Sequence, residues 1–533
     1  MSRMLKASGA MAFATLTSRV LGMVREVVYA SFMGTSWVAN AFAMAFMIPN
    51  LFRRLLGEGA LTAAFIPAFK EKEKTAGEAE MWRVANATIS ALIVAASVVI
   101  ALALAGISIA LPFVDSVHHP ETHLMLRLLR VMFPYMLLVC LAAVFMGILN
   151  ARGHFFIPAM GATMLNVVMI ASVLWLAPRF GTELSAATRL PVQIFALAIG
   201  VLCAGVAQAA FQLPSLRREG FRYQWVKPWG DPTVRHIVKQ MIPGTIGVAS
   251  YQINVLLTQS LAFCLGTGIV IQFQYAVRLM ELPQGVFGIS LATFLLPTLS
   301  GMAAEKRYDE FRATLRQGLA HLTFVNLLAS VLLVVLAEPI IRLIFEHGQF
   351  AKDGATLPVA FALACLAPGL ILFSTVNVLA RAFYALGDTK TPMQASIFGL
   401  VVNLILTAAF LVMFKQGYKQ GALGAANTIS AACNATVLAF ALRRKLKHLD
   451  WAELRSPLVA LAAAATAAGF VAWLGMSGWE KMLGHENFAL RFGAVFGPIA
   501  AAALVYWGVA ILLRVPSARE MSRLATSWLA RRA

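Results

Sequence analysis

Apolar stretches of about twenty residues recur along the whole chain, and each is long enough to cross about 30 Å of hydrocarbon as a helix. Ala87 to Phe113, Val192 to Leu213, Leu319 to Leu336 and Leu490 to Leu513 are four of them. No stretch of soluble-domain size is left between such segments, so the membrane region must hold the function. Composition agrees, with 60% of residues hydrophobic and 13% charged and a mean hydropathy of +0.76, far more apolar than soluble domains.

The expected fold is an all-α polytopic membrane protein of about fourteen transmembrane helices. Helix 1 is expected over 9–34, helix 2 over 37–69, helix 4 over 124–150, helix 8 over 269–300, helix 10 over 356–385 and the last over 488–513. Arg3 and Lys6 begin the chain as a secretory signal would, yet the apolar run is interrupted by Arg19 and continues past Arg25 to Met33. That pattern fits a retained first helix.

The formal net charge is +20, with 44 Lys and Arg, so the positions of the basic residues matter more than their number. Counted from a cytoplasmic N-terminus, roughly 28 face the cytoplasm and roughly 10 face outward, which is the positive-inside asymmetry. The basic charge is therefore topological, and no nucleic-acid partner is expected. Fourteen crossings put both termini in the cytoplasm. Cys140, Cys203, Cys264, Cys365 and Cys433 lie singly within predicted helices, a pattern of packing residues and not of a metal or disulfide framework.

The two halves of the chain repeat. Pro134, Gly153 and Pro158 recur as Pro368, Gly387 and Pro392, each 234 positions later, and LTAAFIP from Leu61 echoes LATFLLP from Leu291. The displacement equals six helices, an even number, so both copies have the same orientation. Two parallel six-helix lobes are predicted, over 1–225 and 226–450, with two extra helices and a basic cytoplasmic tail over 451–533. Transporters often bind substrate near the midplane between such lobes, on broken helices.

Helices 1 and 2 carry Arg19, Arg25, Glu26, Arg53, Arg54 and Glu58, and helix 8 carries Arg278 and Glu281. An ionised side chain at the bilayer centre costs about 2.5–3.5 kcal/mol even on the lenient insertion scale. These residues must therefore line a hydrated cavity, pair with one another, or reach an interface. Five arginines against three glutamates leave a positive surplus suited to an anionic substrate, and guanidinium binds phosphate and carboxylate in a bidentate fashion. Arg19, Arg25, Arg53 and Arg278 are the substrate-binding candidates. Arg54, Glu26, Glu58 and Glu281 are supporting charges, because Arg54 cannot share a helix face with its neighbour and Glu281 can simply pair with Arg278 three residues away. Pro49, Gly57 and Gly59 in helix 2 and Pro283, Gly285 and Gly288 in helix 8 are candidate hinges, as is Gly22 in helix 1. Ordinary small-residue helix packing is the competing explanation.

His118, His119 and His123 are spaced so that a metal would fit, but a solvated external loop explains them better. No cofactor is expected. Walker A, zinc-protease and GxSxG motifs are all missing from the sequence, so neither ATP hydrolysis nor hydrolytic catalysis has a motif to stand on, and a transporter is expected rather than an enzyme.

SRVLGMVREVVYASFMG from Ser18, NAFAMAFMIPNLFRRLLGEGALTAAFIP from Asn40 and RLMELPQGVFGISLATFLLPTLS from Arg278 resemble the MurJ (MviN) family of lipid II flippases, as does FEHGQF from Phe345. The resemblance covers essentially the whole chain. It implies the fold of the multidrug/oligosaccharidyl-lipid/polysaccharide exporter superfamily, a cationic central cavity, and a groove at the last two helices for a lipid tail. By motif, the family's essential cavity arginines fall on Arg19, Arg25, Arg53 and Arg278, with motif acids at Glu26, Glu58 and Glu281. The sequence departs from the family pattern at Asn40, Met47 and Val277, where relatives can carry Asp, Lys and Asp.

The implied activity is outward translocation of lipid II, undecaprenyl-diphosphate-linked disaccharide pentapeptide, across the bacterial cytoplasmic membrane by alternating access. Coupling to the membrane potential or to an ion gradient is expected, and so are contacts with membrane lipids and the cell-wall synthesis machinery. The alternatives are an exporter of another lipid-linked or anionic saccharide, and a non-transporting scaffold of that machinery.

Overall fold

In a computed structural model, residues 2–52, 54, 61–446 and 451–530 are described. Among them all regular structure is helical. The chain divides into two compact units. Unit 1 comprises Met1–Phe263 with His347–Asp353, and unit 2 comprises Cys264–Glu346 with Gly354–Ala533.

Unit 1 contains α1 (Ser2–Met33), α2 (Trp37–Phe52), α3 (Leu61–Thr75), α4 (Gly77–Ala110), α5 (Pro120–Met132), α6 (Tyr135–Ala151), α7 (Phe156–Ala171), α8 (Ala186–Arg218) and nearly all of α9 (Pro232–Leu265). Unit 2 contains α10 (Ile269–Pro283), α11 (Ser290–Ala304), α12 (Tyr308–Val335) and α13 (Ala337–Phe345). The short α14 (Gly348–Lys352) belongs to unit 1. Unit 2 resumes with α15 (Thr356–Leu366), α16 (Gly369–Ala385), α17 (Lys390–Met413), α18 (Lys419–Lys445), α19 (Trp451–Met482), α20 (Phe488–Leu512) and α21 (Pro516–Ala530).

Eight helices among the described residues are long and apolar enough to cross a membrane: α4, α7, α8, α12, α17, α18, α19 and α20 with their short extensions. Two bent pairs, α5 with α6 and α15 with α16, pass the same test together. The other predicted segments fall on α1, on α2 with α3, on α9, and on α10 with α11.

Each unit is built on the same internal plan. Proline has no N–H to continue the helical ladder, and Pro134 and Pro368 bend their pairs by 45° and 41°. The helix tightens alike at both breaks, with Met136 N donating to Phe133 O at 3.1 Å and Leu370 N to Ala367 O at 3.0 Å. After α6 and α16, Gly153 and Gly387 adopt left-handed φ of 89° and 72°. The next residues close the same cap, His154 N to Leu149 O at 2.8 Å and Asp388 N to Phe383 O at 2.9 Å, the bond that satisfies an orphan carbonyl at a helix end.

The repeat extends into the cores. Phe65, Phe69, Phe145 and Leu149 are buried with Leu216 where α3, α4, α6 and α8 converge. Leu295, Leu299, Leu379 and Phe383, their counterparts by the repeat, are buried with Leu438 among α11, α12, α16 and α18. Ile237 joins the unit 1 core, which holds the start of α9 there.

Candidate functional site

Arg25 is held by α7. Its Nη1 donates to Asn166 Oδ1 at 3.0 Å and its Nη2 to Glu26 Oε1 at 2.5 Å, and its guanidinium lies 5.5 Å from the centroid of the Tyr29 ring. Both members of the Arg25–Glu26 pair have side chains only 11% exposed, so the charge is shielded from solvent but matched. Asn166 Nδ2 in turn donates to Ser18 O at 3.0 Å. Ser18, Gly22 and Arg25 share one face of α1, and a Cβ on Gly22 would lie 3.8 Å from Asn166 Nδ2. Gly22 therefore marks the point where the Asn166 side chain lies against the helix. Arg25 Nε is buried without a hydrogen-bond partner among the described residues.

Arg19 lies on a different face, exposed beside Leu16 and Val20. On α2, Pro49 is buried within the helix, and Arg54 beyond it is half-buried. Arg53, Gly57, Glu58 and Gly59 lie outside the described residues. Asn40 is fully buried and its Nδ2 donates to Glu121 Oε1 at the start of α5. A neutral amide suits that position, because an aspartate there would face another carboxylate.

In unit 2, Arg278 Nη1 donates to Glu281 Oε2 at 2.8 Å, with side chains 39% and 46% exposed. The three-residue spacing thus does form a pair, and an accessible one. Pro283 closes α10, and Gln284 to Ile289 form a wide π turn before α11, a distortion frequent at functional sites. Gly285 and Gly288 are buried in that turn. A Cβ on Gly288 would meet Ser374 Oγ of α16 at 2.5 Å, so glycine there permits a close backbone approach.

Asn166 is the residue that sequence reasoning missed. An amide within the apolar run that forms α7 was its available signal, but nothing local tied it to Arg25, 141 positions away. Of the histidines, His118 pairs with Asp115 in the loop before α5, and no cluster of three or more metal-ligating side chains occurs among the described residues. Unit 2 also holds an apolar cavity of about 240 Å³ lined by Leu319, Thr323, Ile371, Leu458, Leu461 and Pro516.

Paired helical units of this kind define a polytopic transporter fold. A multidrug resistance MATE family transporter of the MOP superfamily, in its inward-facing conformation, superposes with a TM-score of 0.66 at 15% identity, over 81% of this chain and 95% of that one. A lipid II flippase MurJ in an inward closed conformation superposes with a TM-score of 0.74 at 23% identity, over 95% and 98%. The family model described as lipid II flippase MurJ matches residues 29–492. The chain is 31% identical to a probable lipid II flippase MurJ of Bdellovibrio bacteriovorus, over 98% of this chain and 97% of the relative. It is 32% identical to one of Haemophilus influenzae, over 94% and 98%, and 32% identical to the lipid II flippase MurJ of Burkholderia cenocepacia, over 88% and 90%. The chain belongs to the lipid II flippase MurJ family.

Proposed function

We infer that this protein is a lipid II flippase, a transporter and not an enzyme, which moves lipid II from the inner to the outer leaflet of the bacterial cytoplasmic membrane by alternating access. Family membership across residues 29–492 carries this reading. The arginines supply the chemistry: a diphosphate leaving water needs fixed cationic donors, and guanidinium groups provide them in bidentate geometry.

Arg19, Arg25, Arg53 and Arg278 bind the diphosphate and peptide carboxylates of undecaprenyl-diphosphate-linked disaccharide pentapeptide. Glu26 and Glu281 hold two of those arginines in place while the site is empty, which for the shielded Arg25 limits the cost of burying a charge unpaired. The polyprenyl tail stays in hydrocarbon, and the apolar cavity lined by Leu319, Ile371 and Leu461 is of the right character to receive part of it. Pro49, Gly57, Gly59, Pro283 and Gly285 let the helices bend between states. Both termini lie in the cytoplasm, and the cell-wall synthesis machinery receives the flipped product.

No covalent step is needed, so the driving force must come from binding or from a gradient. An inside-negative potential assists outward movement of anions by about 2.3 kcal/mol per charge per 100 mV and is the proposed source. Collapsing it with a potassium ionophore should stop flipping; unchanged flipping would assign the coupling to an ion gradient.

The flippase reading is tested by the fraction of lipid-linked cell-wall precursor that a membrane-impermeant reagent reaches in cells depleted of this protein and of redundant carriers. Depletion should lower that fraction, and restoring the wild type should recover it. Undiminished exposure after depletion would overturn the reading.

A further inference from the structure

We propose that the last turn of α8 and the connector that follows it to α9, residues 219–231, form a membrane-surface anchor that docks on anionic phospholipid head groups through Arg217, Arg218, Arg222, Lys227, Trp225 and Trp229. The inference is independent of which substrate is carried.

The connector has no regular secondary structure, yet it is held in place. Gly220 and Gly230 bracket it with left-handed φ of 90° and 91°. Phe221 is buried, its ring 5.7 Å from that of Trp82. Asn86 Nδ2 donates to Arg222 O at 3.1 Å, the hydroxyls of Tyr223 and Ser90 lie 3.2 Å apart, and Val226 N donates to Ser90 Oγ at 3.4 Å. The segment therefore runs along α4 at a fixed depth.

That depth is the head-group layer. Counting about twenty residues back from the exposed Phe113 at the end of the α4 span places the hydrocarbon boundary near residue 94. Ser90 lies about one helical turn, roughly 6 Å, beyond it. Head groups add several ångströms on each side of the hydrocarbon, so the connector runs among them. Trp225 and Trp229 are 57% and 68% exposed, and indole rings at this level favour the interface over water.

The charges are sorted in the same sense. Both acids of the segment turn inward: Glu219 takes Arg152 Nε and His154 Nε2, each at 2.7 Å, and Asp231 takes Arg83 Nη1 at 2.8 Å and caps α9 through Thr233 N and Val234 N. Arg217, Arg218, Arg222 and Lys227 are exposed, and no ion pair is made by any of them among the described residues. Four uncommitted cations interleaved with two exposed indoles, at head-group depth, complement a phosphate-diester surface.

The test is hydrogen–deuterium exchange of the full-length protein in nanodiscs of phosphatidylcholine alone, and in discs in which a third of the lipid is phosphatidylglycerol. Amides of 221–230 should exchange about tenfold more slowly in the anionic discs, and R217Q/R218Q/R222Q/K227Q should abolish that difference without lowering the melting temperature, because all four side chains are exposed. W225S/W229S should reduce the protection. Equal exchange of the wild type in both discs, or an undiminished difference in the quadruple variant, overturns the proposal. Equal protection by soluble glycerophosphate would assign a plain anion site and overturn it as well.

Discussion

Arg25 of α1 and Asn166 of α7 are joined by a hydrogen bond of 3.0 Å across 141 residues of sequence. The same amide donates to Ser18 O about two helical turns before Arg25, so one side chain fixes both the position of α1 and the direction in which its guanidinium points.

Asn166→Ala should therefore impair transport without unfolding the protein. A hydrogen bond to a charged group is worth about 1.5–3 kcal/mol, so the transport rate at limiting substrate should fall about tenfold to a hundredfold. Flipping rates measured beside melting temperatures check this, and a folded variant with the wild-type rate would show that Asn166 does not position Arg25.

Two glycines with similar backbone should respond differently to alanine. Gly34 has φ 57° and a Cβ there would sit 2.1 Å from Asp353 Oδ2, displacing the carboxylate that accepts from Thr35 N at 2.8 Å. Gly354 has φ 62° with open space around it. Gly354→Ala should cost about 1 kcal/mol from the left-handed backbone alone, and Gly34→Ala distinctly more. Thermal unfolding of the two variants decides, and equal losses would mean that the α14 contact contributes nothing.

Asp388 provides a pH signature outside the spans. The Lys445 ammonium, bonded at 2.6 Å, together with Thr391 holds the Asp388 carboxyl down to about 2 from an ordinary 3.8. A lowered carboxylate pKa stabilises the fold fully above the ordinary value. That stability is lost as the pH falls from near 4 through about 2. Asp388→Asn should flatten the acid limb of the unfolding curve in this window, and parallel curves for wild type and variant would remove the pair from the stability of unit 2.

The membrane class, the positions of the helices and the repeat were legible because they rest on local composition and on fixed displacements. Pro134 with Pro368 and Gly153 with Gly387 carry the repeat in both sequence and geometry. The arginines could be singled out because charge in an apolar run is costly wherever it points. What each one touches was not legible: the Arg278–Glu281 pair follows from helical spacing, whereas the Arg25–Asn166 bond needs α1 and α7 already packed. The assignment of α14 to unit 1, although its flanks belong to unit 2, likewise depends on long-range packing that periodicity does not encode. Asn40 was visible as a departure from the family pattern, but its partner Glu121 emerged only in three dimensions.

The most direct test of the central claim uses liposomes containing only purified protein and fluorescent lipid II, with an inside-negative potassium diffusion potential imposed by an ionophore and the accessibility of the label to a membrane-impermeant reagent followed over time. The expected result is a protein-dependent rise with the wild type and the protein-free rate with a folded Arg25→Ala variant. No rise with the wild type would contradict flipping of lipid II by this chain, and a variant as fast as the wild type would contradict the role of Arg25 in it.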